Sequence, residues 1–192
     1  MTKIVLASQS PRRKQLLEWA EIDFDILALE TDESFPAELP IEEVPVYIAR
    51  QKSQVIMDME LYRRYEKDVP VLAADTIVVL NDRIIGKPVN REDAIRMLQS
   101  LAGNRHKVIT GVVIRNSVTE ISFADITEVE FHPLELEDIV YYVDRYKPYD
   151  KAGSYAIQEW IGVVGIKCVI GDFYNVMGLP ISRVVRALHE QF

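Results

Sequence analysis

Strand-like and helix-like segments alternate along this 192-residue chain from end to end, and that alternation constrains its fold more than any other feature. Lys3–Ala7 reads as a short buried strand. A helix from about Ser10 to Ala20 follows, with Ser10 as N-cap, Pro11 at the first helical position, and Leu16, Leu17 and Ala20 as the apolar stripe. Asp23–Leu29 resembles a second strand, and Val44, Ile48, Val55 and Met59 recur at helical spacing in a long helix reaching to Arg64. The β-branched run Val69–Leu80 turns at Asn81-Asp82 into a return strand, Arg83–Gly86. Asn90 caps a third helix that Gly103 ends. Lys107–Ile114 and Glu120–Phe131 read as strands joined at Asn116-Ser117. Leu136–Arg145 is a short helix, Tyr146–Gln158 is irregular, Val163–Ile170 is a strand and Ile181–His189 is the closing helix. Interleaving of this kind predicts the α/β class with a mixed sheet, in one domain over residues 1–192.

Composition narrows the function classes. With 22 Lys+Arg against 30 Asp+Glu the chain carries a formal charge of −8, which disfavours sequence-independent binding of DNA or RNA. One cysteine, Cys168, leaves no intramolecular disulfide framework and reads as a buried small hydrophobe. The three histidines lack zinc spacing, and Trp19 and Trp160 read as packing residues. The longest apolar stretches are interrupted by Asp75 and Lys167 and are too short to span a bilayer. A soluble protein in a reducing cytoplasm is expected.

Three places break the chain's own structural rules. The first is Ser8-Gln9-Ser10-Pro11-Arg12-Arg13-Lys14, which sets three cations at the positive end of a helix dipole, where stability favours Asp or Glu. An anion such as phosphate at that terminus accounts for them, and a solvated basic turn is the alternative. The second is Asp75-Thr76 inside an apolar strand. A buried carboxylate there is costly unless paired or metal-bound, and such positions suit a general base or a divalent cation; a strand end or bulge at which Asp75 turns to solvent is the alternative. The third is the acidic loop Glu30-Thr31-Asp32-Glu33, a candidate for Mg²⁺ or simply a solvated loop. A Walker phosphate loop is absent, since Gly86-Lys87-Pro88 has no upstream glycine and no hydroxyl residue after the lysine.

Five ordered motifs then stand out: Leu6-Ala7-Ser8-Gln9-Ser10-Pro11-Arg12-Arg13; Ala74-Asp75-Thr76 with Gly86-Lys87-Pro88; Thr110-Gly111-Val112; Asp150-Lys151-Ala152-Gly153-Ser154-Tyr155; and Asn175-Val176-Met177-Gly178-Leu179-Pro180. Together they resemble the Maf family of nucleoside triphosphate pyrophosphatases over nearly the whole chain. The resemblance implies an elongated, two-lobed α/β domain with a mixed twisted sheet and a central cleft, similar to inosine triphosphate pyrophosphatases. It also implies cytoplasmic release of pyrophosphate from a nucleoside triphosphate with Mg²⁺ or Mn²⁺, and a possible homodimer. No nucleic acid or membrane is expected as a partner.

Carried over residue by residue, Asp75 matches the family's proton acceptor. Arg12, Thr76 and Gln158 match its base-selecting positions, and Ser8, Arg13, Lys52 and Lys87 its triphosphate site. Glu33 matches an acidic residue associated with the metal, to which Asp75 also contributes. Lys151-Ala152-Gly153-Ser154-Tyr155-Ala156-Ile157-Gln158 looks like the branch acting on dTTP and UTP, and the Gln158 amide offers both a donor and an acceptor to a uracil or thymine edge. A 7-methyl-GTP pyrophosphatase and a nucleotide-binding regulator of septum formation are the alternatives. Glu159-Trp160 departs from the small residues that relatives often place after the glutamine.

Overall fold

The computed structural model describes residues 3–65 and 69–192. Its seven-stranded sheet runs in the order β2-β1-β3-β5-β6-β7, with β4 pairing β3 off that path. The strands are β1 (Ile4–Leu6), β2 (Phe24–Ile26), β3 (Val71–Leu80), β4 (Arg83–Ile85), β5 (Arg105–Arg115), β6 (Glu120–Phe131) and β7 (Ile166–Ile170). The helices are α1 (Pro11–Trp19), α2 (Val44–Asp58), α3 (Arg91–Leu101), α4 (Leu136–Tyr146), α5 (Trp160–Gly165), α6 (Phe173–Met177) and α7 (Ile181–Gln191). β1 is parallel to β2 and β3, whereas β4 is antiparallel to β3 and β7 to β6, so the sheet is mixed and the class α/β.

The chain divides into two units. One comprises the described residues up to Asp75 with Thr110–Asp125 and Gly178–Phe192; the other comprises Thr76–Ile109 and Ile126–Met177. The core of the first unit sets Val5 and Ala7 of the first strand segment against Val71 and Ala73 of β3, with Ala49 and Ile56 of α2 and Val113 of β5 packed over them. Pro45 in its first turn starts α2, and Val44, Ile48, Ala49 and Ile56 form its buried face. Gly111 fixes where α2 lies. A Cβ there would stand 2.2 Å from Pro45 C and Val46 N, so helix and strand meet backbone to backbone. That contact is the physical reason for a glycine in the Thr110-Gly111-Val112 motif.

In the second unit, the β3–β4 hairpin closes through Asn81 and Asp82, at φ 49° and 58°. Two consecutive left-handed residues suit the right-handed twist of a two-residue hairpin, and Asn and Asp tolerate that conformation best after glycine. The Asn90 side chain accepts from the Asp93 amide at 2.9 Å, capping α3 as its sequence predicts. His106, Phe131 and Tyr155 form a buried aromatic cluster, with ring centroids 5.1–5.6 Å apart.

Several sequence expectations need correction. The helix expected to reach Arg64 ends at Asp58, followed by a separate 3₁₀ turn at Tyr62–Arg64. Val163 and Val164, expected at the start of a strand, lie in α5, held by Gly162 and Val163 amides donating to Glu159 O. They are 80% and 46% exposed, so no apolar face drew them into the sheet, and their β propensity was overridden. Ser10 sits at the N-cap of α1 but makes no side-chain capping bond. Trp19 is 58% exposed, and Cys168 is half-buried. No described helix is long and apolar enough to cross a membrane.

Candidate active site

Parallel pairing builds the centre of the site. Val5 and Leu6 of β1 partner Val71 and Leu72 of β3, so both strands deliver their next residues to the same end of the sheet. Ser8 follows β1 at that end, and Asp75 lies three residues beyond Leu72 within β3. In α/β sheets the carboxyl ends of parallel strands are where ligand sites arise, because helix N-termini and connecting loops gather there.

The buried strand carboxylate is paired. Lys52 Nζ, from the middle of α2, donates to Asp75 Oδ1 at 2.7 Å and to Glu33 Oε1 at 2.7 Å. The Lys52 and Asp75 side chains are 16% and 12% exposed and Glu33 is 45% exposed, so one ammonium joins an interior carboxylate to a surface one. Lys52 thus resolves the desolvation cost that made Asp75 anomalous in the sequence. The strand-end alternative for Asp75 does not hold, since that residue is 9% exposed in mid-strand.

Beside this pair stands a buried guanidinium. Arg13 is 8% exposed; its Nε donates to Gly178 O at 2.8 Å and its Nη1 to Ser8 Oγ at 3.1 Å. Ser8 Oγ also accepts from the Ser10 amide at 3.2 Å, which shapes the turn into α1. Burial draws the Arg13 pKa below its ordinary value. The negative charge of Asp75 opposes that, neighbouring Arg12 adds to it, and Glu33 opposes it. A guanidinium stays charged under such pressure. Arg13 therefore joins the Ser8 turn and the Gly178-Leu179-Pro180 segment, and contributes fixed positive charge where Asp75 and Glu33 act on it.

The first unit accordingly gathers Ser8, Arg12, Arg13, Glu33, Lys52 and Asp75. Thr76, Lys87 and Gln158 belong to the second. There the Gly153 amide donates to Gly86 O at 3.0 Å, tying the Lys151–Tyr155 motif to the turn that carries Lys87. Gly153 has φ +69° and a Cβ would meet the Val78 side chain at 3.1 Å, so two reasons converge on glycine in that motif. Lys87 and Gln158 are exposed, whereas Lys151 is 8% exposed and bonds Asp150 Oδ1 at 2.8 Å. The sequence did not single out Tyr142 or assign a role to Glu159. The Glu159-Trp160 departure was the one available signal.

The donors suit a hard divalent cation. Among the described residues, no group of three or more His, Cys, Asp or Glu side chains converges as a self-sufficient metal cage. Glu33 and Asp75 nevertheless turn one oxygen each to the same positive charge, that of Lys52. A pair of carboxylates completed by water and substrate phosphates is how Mg²⁺ is commonly bound.

The family model described as Maf-like protein matches residues 3–191. The chain belongs to the Maf family. It is 47% identical over 194 residues to a Maf relative from Cytophaga hutchinsonii named dTTP/UTP pyrophosphatase, covering 100% of this chain and 85% of that one. Proteins of the same name from Bacteroides fragilis (strain YCH46) and Porphyromonas gingivalis (strain W83) are 46% and 45% identical, covering 98% of this chain and 95% and 94% of theirs. Among solved structures, protein VC0702 from Vibrio cholerae matches with a TM-score of 0.44 at 10% identity over 98% of each chain, too slight a likeness to carry a conclusion.

Proposed function

We propose that this Maf protein hydrolyses dTTP and UTP to the nucleoside monophosphate and pyrophosphate, acting on the cytoplasmic nucleotide pool, with residues 1–192 working as one catalytic domain. The observation that carries the reading is the Lys52 ammonium bridging Glu33 and Asp75 at 2.7 Å each, beside the buried cation Arg13. The names of the full-length relatives supply the substrate class.

In this reading Asp75 takes a proton from the water that attacks the α-phosphorus. The bond from that phosphorus to its bridging oxygen breaks, and the electron pair leaves with pyrophosphate. Lys52 donates to Asp75 Oδ1, which orients the carboxylate for that role. Arg12, Arg13 and Lys52 offset the charge that builds on the leaving group, Ser8 shapes the turn beneath the phosphates, and Lys87 adds a further cation. Positioning and charge stabilisation are the main sources of rate in such transfers. Bound Mg²⁺ or Mn²⁺, with Glu33 and Asp75 as its protein ligands, would add Lewis-acid charge at the phosphate oxygens. Arg12, Thr76 and Gln158 select the base, Gln158 by pairing its amide with the alternating edge of a pyrimidine. A homodimer is part of the proposal.

Product analysis with dTTP, UTP, CTP, GTP and 7-methyl-GTP tests it. Monophosphate plus pyrophosphate from dTTP and UTP, lost on Asp75→Asn, supports the reading. Nucleotide binding without turnover contradicts it.

A further inference from the structure

The backbone that carries Gln158 is held by groups on either side of it. The Ala156 amide donates to the Tyr142 hydroxyl at 3.2 Å, and that hydroxyl donates to Glu159 Oε2. Glu159 Oε1 stands 3.6 Å from the Lys151 ammonium. Tyr142 is 0% exposed and Lys151 8%; the buried hydroxyl is met by Ala156 and Glu159, and the Lys151 ammonium lies against both Glu159 and Asp150. The Glu159 amide closes the turn by donating to Ala156 O at 3.1 Å.

Glu159 occupies the N-cap of α5, yet its carboxylate makes no capping bond. An acidic residue there ordinarily accepts from the helix's first amides. Here it faces Tyr142 and Lys151 instead. The helix presses on the turn from the other side, because a Cβ on Gly162 would lie 1.8 Å from Ile157 O. A turn fixed two residues before Gln158 and one residue after it presents that side chain from a single backbone conformation. The ordering is then complete before substrate arrives and is not charged against binding.

We propose that Tyr142 and Glu159 are positioning residues for base selection, locking the Ala156–Glu159 turn so that the Gln158 amide meets the pyrimidine in one orientation; this rests on the base-selecting role of Gln158 proposed above. Neither residue touches the reacting atoms. Both act through Gln158.

The test compares kcat and KM for dTTP, UTP and CTP in the wild type, Tyr142→Phe, Glu159→Gln, Gln158→Ala and the Tyr142→Phe/Gln158→Ala double variant, with hydrogen exchange at the Ala156 amide. Losing one hydrogen bond in the clamp should raise KM for dTTP and UTP about five- to tenfold in Tyr142→Phe, with kcat nearly unchanged. CTP should change little, so preference falls, and the Ala156 amide should exchange faster. Glu159→Gln, which keeps a partner for the Tyr142 hydroxyl, should recover most of the preference. In the Gln158→Ala background, Tyr142→Phe should add nothing. A folded Tyr142→Phe with unchanged preference, while Gln158→Ala alters it, overturns the positioning role and leaves the base-selecting reading standing. Unchanged preference in Gln158→Ala overturns both. Should Tyr142→Phe fail to fold, Glu159→Ala enters the same comparison, and unchanged preference there overturns the positioning role.

Discussion

Acidification from pH 7 to pH 5 should remove about 2 kcal/mol of folding stability through His106 alone. This imidazole is 2% exposed; its Nε2 lies 2.7 Å from the Tyr155 hydroxyl, and its Nδ1 is buried without a hydrogen-bond partner. Burial lowers its pKa from 6.5 to about 4. The unfolded chain therefore takes up a proton below pH 6.5, whereas the folded chain resists until about pH 4. Stability falls as pH drops through that window and stops falling, on this account, below it. At pH 5 the linkage factor is about 30, or roughly 2 kcal/mol, and the full penalty is about 3 kcal/mol. His106→Gln keeps a side chain able to meet the Tyr155 hydroxyl but removes the titration. Urea unfolding of both proteins at pH 7, 6 and 5, followed by fluorescence, isolates the effect, since carboxylates such as Glu130 and Asp144 are common to both. The wild type should lose about 2 kcal/mol more than the variant over that range. Parallel pH dependences would refute the reasoning.

Other expectations follow from the same geometry. Asp75→Asn should lower kcat about 10²–10⁴-fold with a smaller change in KM, as steady-state kinetics with dTTP will show. Lys52→Gln should tighten Mn²⁺ binding in the absence of nucleotide, measured calorimetrically, because the ammonium that holds both Glu33 and Asp75 is gone; weaker binding would contradict the two-carboxylate site. Gly111→Ala forces a Cβ to within 2.2 Å of the Pro45–Val46 backbone and should destabilise the protein by about 1–3 kcal/mol in thermal unfolding. Gln158→Glu should shift preference away from dTTP and UTP in a competition assay, and an unaltered ranking would remove Gln158 from base selection.

The α/β class was legible in the alternation of strand-like and helix-like segments, and Arg13 and Asp75 stood out as anomalies. Three cations on a helix start and a carboxylate within a strand each violate a stability rule, and the fold places Arg13 and Asp75 near enough for the one to feel the other's charge. The bridging of Glu33 and Asp75 by Lys52 was not legible from spacing, because Lys52 lies 19 residues from one partner and 23 from the other. Only the packing of α2 onto Gly111 and β3 brings them together. Val163-Val164 misled because β-branching reports burial preference, and here both side chains face solvent. Glu159 read as an oddity, since its partners Tyr142 and Lys151 come from different elements.

Isotope labelling tests the central claim most directly. With dTTP hydrolysed in ¹⁸O-water, attack at the α-phosphorus assisted by Asp75 predicts one labelled oxygen in the monophosphate and none in the pyrophosphate. Label in the pyrophosphate, or formation of diphosphate and orthophosphate, would contradict it.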